Sequence, residues 1–312
     1  MTLLFRLAAS LALLTAILLW LEPQTLLAAF AAPEPLWLAA ALTLTIPQVA
    51  LSAWRWRITA GRLGAPLGSG EALCEYYVAT FLNQILPGGV MGDATRAWRH
   101  ARRQQTRAST TPPPGAAAWH AVIIERASGQ LALLLVVLAA LALAPELRVA
   151  TAELLAVSGH GPGWITLAPM LLTIGGIAWW RGRAHIHRLR VAVREALLAR
   201  EVFMRQVLAS LLIVASYVGV YLCCMRMIGI DTPMAQAAPL VPWVLLAMAI
   251  PLSIAGWGVR EGAAALLWQA VGLDPAEGVA ISISYGVVIL LSSLPGALIL
   301  LHHAVPGAVR RS

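Results

Sequence analysis

The sequence predicts an all-α polytopic membrane protein of about six full spans plus two re-entrant broken-helix hairpins, arranged as an inverted repeat. Three observations carry this reading. Of 312 residues, 60% are hydrophobic and only 12% are charged, about half the charged fraction of a soluble domain. Apolar blocks of about 17–22 residues recur from end to end, each long enough to cross a hydrocarbon core ~30 Å thick. The 22 basic residues are all arginine and cluster between those blocks, as the positive-inside bias requires of cytoplasmic loops.

In this setting the net charge of +8 points to loops touching anionic lipid, not to a nucleic-acid partner. Cys74, Cys223 and Cys224 all lie in apolar segments. They offer neither a disulfide framework nor metal-ligand spacing, so no metal and no cofactor is expected.

Leu3–Leu21 reads as the first span, long enough to be retained despite the small-residue sequence Ala29-Phe30-Ala31 that resembles a cleavage site. Leu36–Ala53 is the second, and Trp54 and Trp56 around Arg55 read as an interfacial belt. Ala72–Leu86 is too short to span and ends at Pro87-Gly88-Gly89. Arg55, Arg57 and Arg62 precede it, and Arg96, Arg99, Arg102, Arg103 and Arg107 follow it, so both flanks are expected in the cytoplasm. Two crossing helices need roughly 40 residues and only about 24 are available; the segment 71–95 is therefore expected to enter and return. Thr110–Gly115 reads as a linker, and Ala117–Ala144 as the span that closes a first half, residues 1–145.

The second half, residues 163–303, repeats the order. Trp164–Trp180 and Val207–Ile228 read as spans, with Arg181–Gln206, including His185 and His187, as an interfacial amphipathic helix between them. Residues 236–273 form an apolar region broken by Pro251 and by Gly256-Trp257-Gly258, and flanked by Asp231, Asp274 and Glu277. This hairpin is expected to enter from outside. Ala276–Leu301 is the last span. The assignment puts 18 of the 22 arginines and both termini in the cytoplasm, in one integral membrane domain spanning 1–312. Broken helices inside a bilayer leave backbone groups that only protein or a wet cavity satisfies, so a polar cavity is expected between the hairpins.

Ionisable groups at depth mark function, because each is costly to insert. Hairpin one carries Glu71, Glu75, Asn83 and Gln84 before its tip and Asp93 and Arg96 after it. Asp93 and Arg96 are three apart and share a helix face; together with the backbone of Gly88, Gly89 and Gly92 they are candidates to hold and orient a phosphate. Glu125 and Arg126 are adjacent on one helix and point about 100° apart, so each needs a partner elsewhere: Arg96 for Glu125 and Glu261 for Arg126. In hairpin two, Gly256 and Gly258 break the helix and Arg260-Glu261 opens the next half, a ready anion site.

Trp54-Arg55-Trp56, Phe81-Leu82-Asn83-Gln84-Ile85-Leu86-Pro87-Gly88-Gly89 with Gly92-Asp93 and Arg96, Glu125-Arg126, Pro251-Leu252-Ser253-Ile254-Ala255-Gly256-Trp257-Gly258-Val259-Arg260-Glu261 and Leu294-Pro295-Gly296 form an ordered set. This set resembles the lysylphosphatidylglycerol synthase transmembrane, or flippase-like, family. The resemblance implies a membrane part that moves a lipid between leaflets; the synthase domain fused to it in the best-known members has no counterpart here, so aminoacyl transfer is not implied. Stand-alone relatives are associated with polar-lipid, polyprenyl-phosphate-sugar or hopanoid pathways.

The expected function is thus translocation of a polar or anionic lipid, or a lipid-linked headgroup, in the cytoplasmic membrane of a bacterium. Absence of a Walker motif leaves a proton, through Glu125, Asp93 or Glu261, or the membrane potential as the drive. The rival readings are an integral-membrane enzyme acting on lipid phosphate or lipid-linked sugar, and a membrane partner of a separate lipid-modifying enzyme.

Overall fold

The computed structural model describes residues 33–86, 89–107, 115–145, 147–149, 200–248 and 255–304. The expected spans Leu3–Leu21 and Trp164–Trp180, the linker, the helix with His185 and His187, and Gly88 and Pro251 lie outside the described residues or largely so. The chain is an all-α membrane protein, and four described helices are long and apolar enough to cross a bilayer.

The first of these, α1 (Pro35–Arg62), starts on a proline that needs no N–H partner and continues through Pro47. It runs well past the expected end at Ala53 because Arg55 and Trp56 find partners inside the protein, with 2% and 0% exposure. The interfacial belt expected around Arg55 is thus corrected at Trp56, which packs edge-on against His100 with ring centroids 5.5 Å apart.

Hairpin one is α2 (Ser69–Ile85) and α3 (Met91–Arg107), of 17 residues each. At 1.5 Å per residue each leg reaches about 25 Å, short of a full core. The return leg is longer than expected because its arginines are tied down: Glu75 Oε1 accepts from Arg99 Nη2 at 3.0 Å and Arg103 Nη2 at 2.6 Å, and Glu71 accepts from Arg103 Nη1 at 2.9 Å. These pairs clamp the base of the hairpin.

After it, α4 (Gly115–Leu143) and α5 (Arg200–Met227) are full spans. Hairpin two is built from α6 (Met234–Ala237), α7 (Val241–Ala247) and α8 (Val259–Ala270), none of them long enough to cross. The last span, α9 (Pro275–Ala304), carries Pro295 inside it. Its neighbour Gly296 lies against α2, where a Cβ would run into the Tyr77 carbonyl.

Helices α1 and α5 pack along each other in opposite directions. Gln206 Nε2 donates to Thr59 Oγ1 at 3.2 Å, Ser216 Oγ donates to Gln48 Oε1 at 3.3 Å, and the Glu34 N–H meets the Met227 carbonyl at 2.8 Å. Exchanging α1 with α5, α2 with α7, α3 with α8 and α4 with α9 returns the α1–α5 contact to itself and converts each other extensive helix contact among the described residues into another. Thus α2 on α9 corresponds to α7 on α4, α3 on α4 to α8 on α9, and α1 on α4 to α5 on α9.

Candidate functional site

Asn83 closes hairpin one across its turn. Its Oδ1 accepts the Gly92 N–H at 2.8 Å and its Nδ2 donates to Asp93 Oδ2 at 3.1 Å, so one amide joins the end of α2 to the first turn of α3. A Cβ at residue 92 would run into the Ala79 carbonyl and lie 2.8 Å from Asn83 Oδ1; glycine permits the approach. Asp93 sits where a carboxylate suits the helix dipole, and it holds two arginines. Arg96 reaches Asp93 Oδ1 from Nε at 2.9 Å and from Nη2 at 2.8 Å. Arg126 of α4 reaches Asp93 Oδ2 from Nε at 2.6 Å and from Nη2 at 2.5 Å.

Glu125 completes the cluster. Its Oε2 accepts Arg96 Nη2 at 2.6 Å, while its Oε1 accepts the Tyr76 hydroxyl at 3.3 Å and lies 3.6 Å from Arg55 Nη2. Arg55 also donates to the Glu125 carbonyl at 2.7 Å and to Ser128 Oγ at 2.8 Å. The Arg96 guanidinium lies 4.8 Å from the ring centroid of Trp56 and 4.5 Å from that of Tyr76, close enough for cation–π attraction in a desolvated site. The expected pair of Glu125 with Arg96 forms. Arg126 pairs with Asp93, not with Glu261, because α3 packs on α4 and brings Asp93 to it first. Three guanidinium groups thus meet two carboxylates, a formal excess of one positive charge.

Hairpin two is tied differently. The chain enters α8 through Ala255, Gly256 and Gly258, with φ of 51°, 81° and 87°. This left-handed conformation costs a non-glycine residue about 1–3 kcal/mol, so the fold holds Ala255 in place. Glu261 Oε2 accepts the Gly258 N–H at 2.6 Å and caps the helix. Its Oε1 accepts Arg260 Nη2 at 2.6 Å and Ser282 Oγ at 3.1 Å, and Ser282 in turn accepts Arg260 Nε at 2.8 Å. Trp257 and Tyr285 flank the Arg260 guanidinium at 5.1 and 5.4 Å. At Gly286 a Cβ would run into Arg260 Nη2, so this glycine keeps room for the arginine.

Between the two hairpins lies a cavity of about 610 Å³. Asn83, Gln84, Gly89 and Asp93 line it from hairpin one, Gly256 and Arg260 from hairpin two, and Arg126 and Gln130 from α4. Gln48 and Ser52 of α1, Tyr217 of α5 and Tyr285 of α9 add further polar groups. Of the candidate residues, Asn83, Gly89, Asp93, Arg126, Gly256 and Arg260 therefore line the cavity. Gly92, Arg96, Glu125, Gly258 and Glu261 stand behind its wall, where they position the others; Gly88 lies outside the described residues.

The sequence reading missed Gln48, Ser52, Gln130 and the two tyrosines. A signal was present for the first two: Gln48, Ser52, Arg55 and Thr59 follow helical spacing on α1, and all four are buried. Both Arg126 and Arg260 spend their Nε and Nη2 edge on a neighbouring carboxylate or hydroxyl. A guanidinium used in this way keeps an Nη1 edge for another acceptor, and phosphate or carboxylate is the group it fits.

The chain is an all-α membrane protein whose two hairpins meet at a charged internal cavity. More particularly, the chain belongs to the family described as the lysylphosphatidylglycerol synthase TM region, which it matches over residues 7–296. Membership gives it a membrane role in lipid handling. No curated protein and no solved structure matches the chain significantly.

Proposed function

We propose that the protein is a lipid translocator that passes an anionic or polar headgroup through the cavity between the hairpins while the lipid tails stay in the bilayer. The observation that carries this reading is the charge of the cavity and its wall: four arginines, Arg55, Arg96, Arg126 and Arg260, against the three carboxylates of Asp93, Glu125 and Glu261. In a low-dielectric site an excess positive charge is stabilised by an incoming anion. The volume supports the same conclusion, since about 610 Å³ is within the ordinary range of small-molecule pockets.

The exchange of helix contacts between the halves, with α1 and α5 antiparallel, supports an inverted repeat about an axis between these two helices. In that arrangement alternating access follows from rocking one half against the other around a fixed site. The proposed setting is the cytoplasmic membrane of a bacterium, both termini cytoplasmic, with membrane lipid as ligand and a separate lipid-modifying enzyme as the expected source of cargo.

The test is reconstitution into liposomes containing headgroup-labelled phosphatidylglycerol, scored for leaflet exchange and for chemical change of the lipid. Exchange of intact lipid supports translocation. A modified lipid without exchange assigns the cavity to an enzyme.

A further inference from the structure

Four residues that line the cavity are also exposed: Val90, Trp119, Ile123 and Gln130. All four come from two adjacent places, the residue just before α3 and one face of α4. The lining residues contributed by α1, α5, α7, α8 and α9 are buried or half-buried, so the cavity is closed on that side. On α4 the lining residues Trp119, Val122 and Ile123 give way to Arg126 and Gln130, with the buried Leu133 beyond them, so the lining changes from apolar to charged between Ile123 and Arg126. Val90 and Ile123 are 56% and 48% exposed and the Arg126 side chain is 39% exposed, whereas the Asp93 that holds it is 7% exposed.

An opening to water would be rimmed by polar groups. Here three of the four exposed lining residues are apolar, and three of the four lie on α4, the least buried of the four described spans, with 17% of its apolar stretch buried. The same helix exposes Leu131, Leu134, Leu135 and Leu138 further along, as a lipid-facing surface does. A single ligand that fills the charged interior and this apolar mouth together has to be an amphiphile.

We infer that the cavity opens sideways into the bilayer core through a mouth between the start of α3 and α4, framed by Val90, Trp119 and Ile123, and that a hydrocarbon chain of the bound lipid lies in it. The headgroup is then at Arg126, one helical turn from Ile123 on the same face. This deepens the translocator reading and rests on it.

The test is photo-crosslinking in vesicles of phosphatidylglycerol with a radiolabelled acyl chain, using Ile123→p-benzoylphenylalanine and, in case that variant aggregates, Val90→p-benzoylphenylalanine. Leu138→p-benzoylphenylalanine serves as the reference on the lipid-facing surface. The expected result is a lipid adduct at the mouth that falls about tenfold with Arg126→Gln and with an excess of soluble sn-glycero-3-phosphoglycerol, while the adduct at Leu138 is unchanged by either. Equal adducts at both positions, indifferent to Arg126, reduce the mouth to surface covered by bulk lipid and overturn the inference. A crosslink to a peptide of this chain overturns it as well, because another segment then fills the mouth.

Binding of soluble sn-glycero-3-phosphoglycerol to the unsubstituted protein in detergent separates the two levels. Binding with an Arg126-independent adduct overturns the mouth alone. No binding and no leaflet exchange overturn the translocator reading beneath it.

Discussion

Arg96 and Glu125, 29 residues apart, meet at 2.6 Å between Nη2 and Oε2 with both side chains almost fully buried. Through this contact the second turn of α3 is fixed to α4. Because Arg96 also holds Asp93, and Asp93 holds Arg126, a group that never faces the cavity decides where the cavity's own arginine points.

The first prediction follows from that geometry. Removing one partner of a buried ion pair typically costs about 3–5 kcal/mol, so Arg96→Ala should lower the thermal midpoint in detergent by many degrees. Glu125→Gln keeps the shape and a hydrogen-bonding oxygen and should cost less. Thermal unfolding of the two variants checks the order; equal midpoints for Arg96→Ala and the unsubstituted protein would remove Arg96 from its positioning role.

Glycines around the site should tolerate alanine unequally. Gly92→Ala drives a methyl into the Ala79 carbonyl, whereas at Gly129 the nearest atoms are Arg55 Nη2 and Nη1 at 3.5 and 3.6 Å, ordinary contact. Overpacking against backbone costs about 1–3 kcal/mol; Gly92→Ala should therefore be clearly destabilised and Gly129→Ala should remain close to the parent. Yield of monodisperse protein and its melting temperature are the readouts.

The sidedness of both hairpins is open to chemical labelling. In a background lacking Cys74, Cys223 and Cys224, single cysteines at Gly61 and Thr106, both exposed, should react only from the cytoplasmic side. Cysteines at Asp231 and Asp274, also exposed, should react only from outside. Gly61 suits the purpose because a Cβ there meets no atom within 4 Å. Opposite sidedness within either pair would remove re-entrance from that hairpin.

The charges inside apolar runs were the most legible part of the site. Glu125-Arg126 within α4 and the three-residue spacing of Asp93 and Arg96 stood out because a membrane helix has few reasons to carry them. Partner choice was less legible: the adjacent Arg260 and Glu261 pair with each other on α8, whereas the adjacent Glu125 and Arg126 both turn to α3, so adjacency alone does not tell the two cases apart. Arg55 and Trp56 misled for a different reason. An arginine flanked by tryptophans has the same local signature at a membrane interface as in a buried cation–π stack, and only the contact with Arg96 and His100 tells them apart. The neutral wall residues were hidden singly, since one Gln or Ser in an apolar helix is unremarkable; their spacing on α1 was the available clue.

The most direct test of the account is leaflet exchange of headgroup-labelled phosphatidylglycerol in liposomes by the unsubstituted protein and by Arg126→Gln and Arg260→Gln. Both arginines face the cavity, and glutamine keeps hydrogen-bonding capacity while removing the charge. The account predicts exchange by the parent and a loss of about tenfold or more in each variant, on the order of 1.4 kcal/mol, with both variants monodisperse. Exchange that persists at the parental rate in both variants, or a parent that moves no lipid, would contradict it.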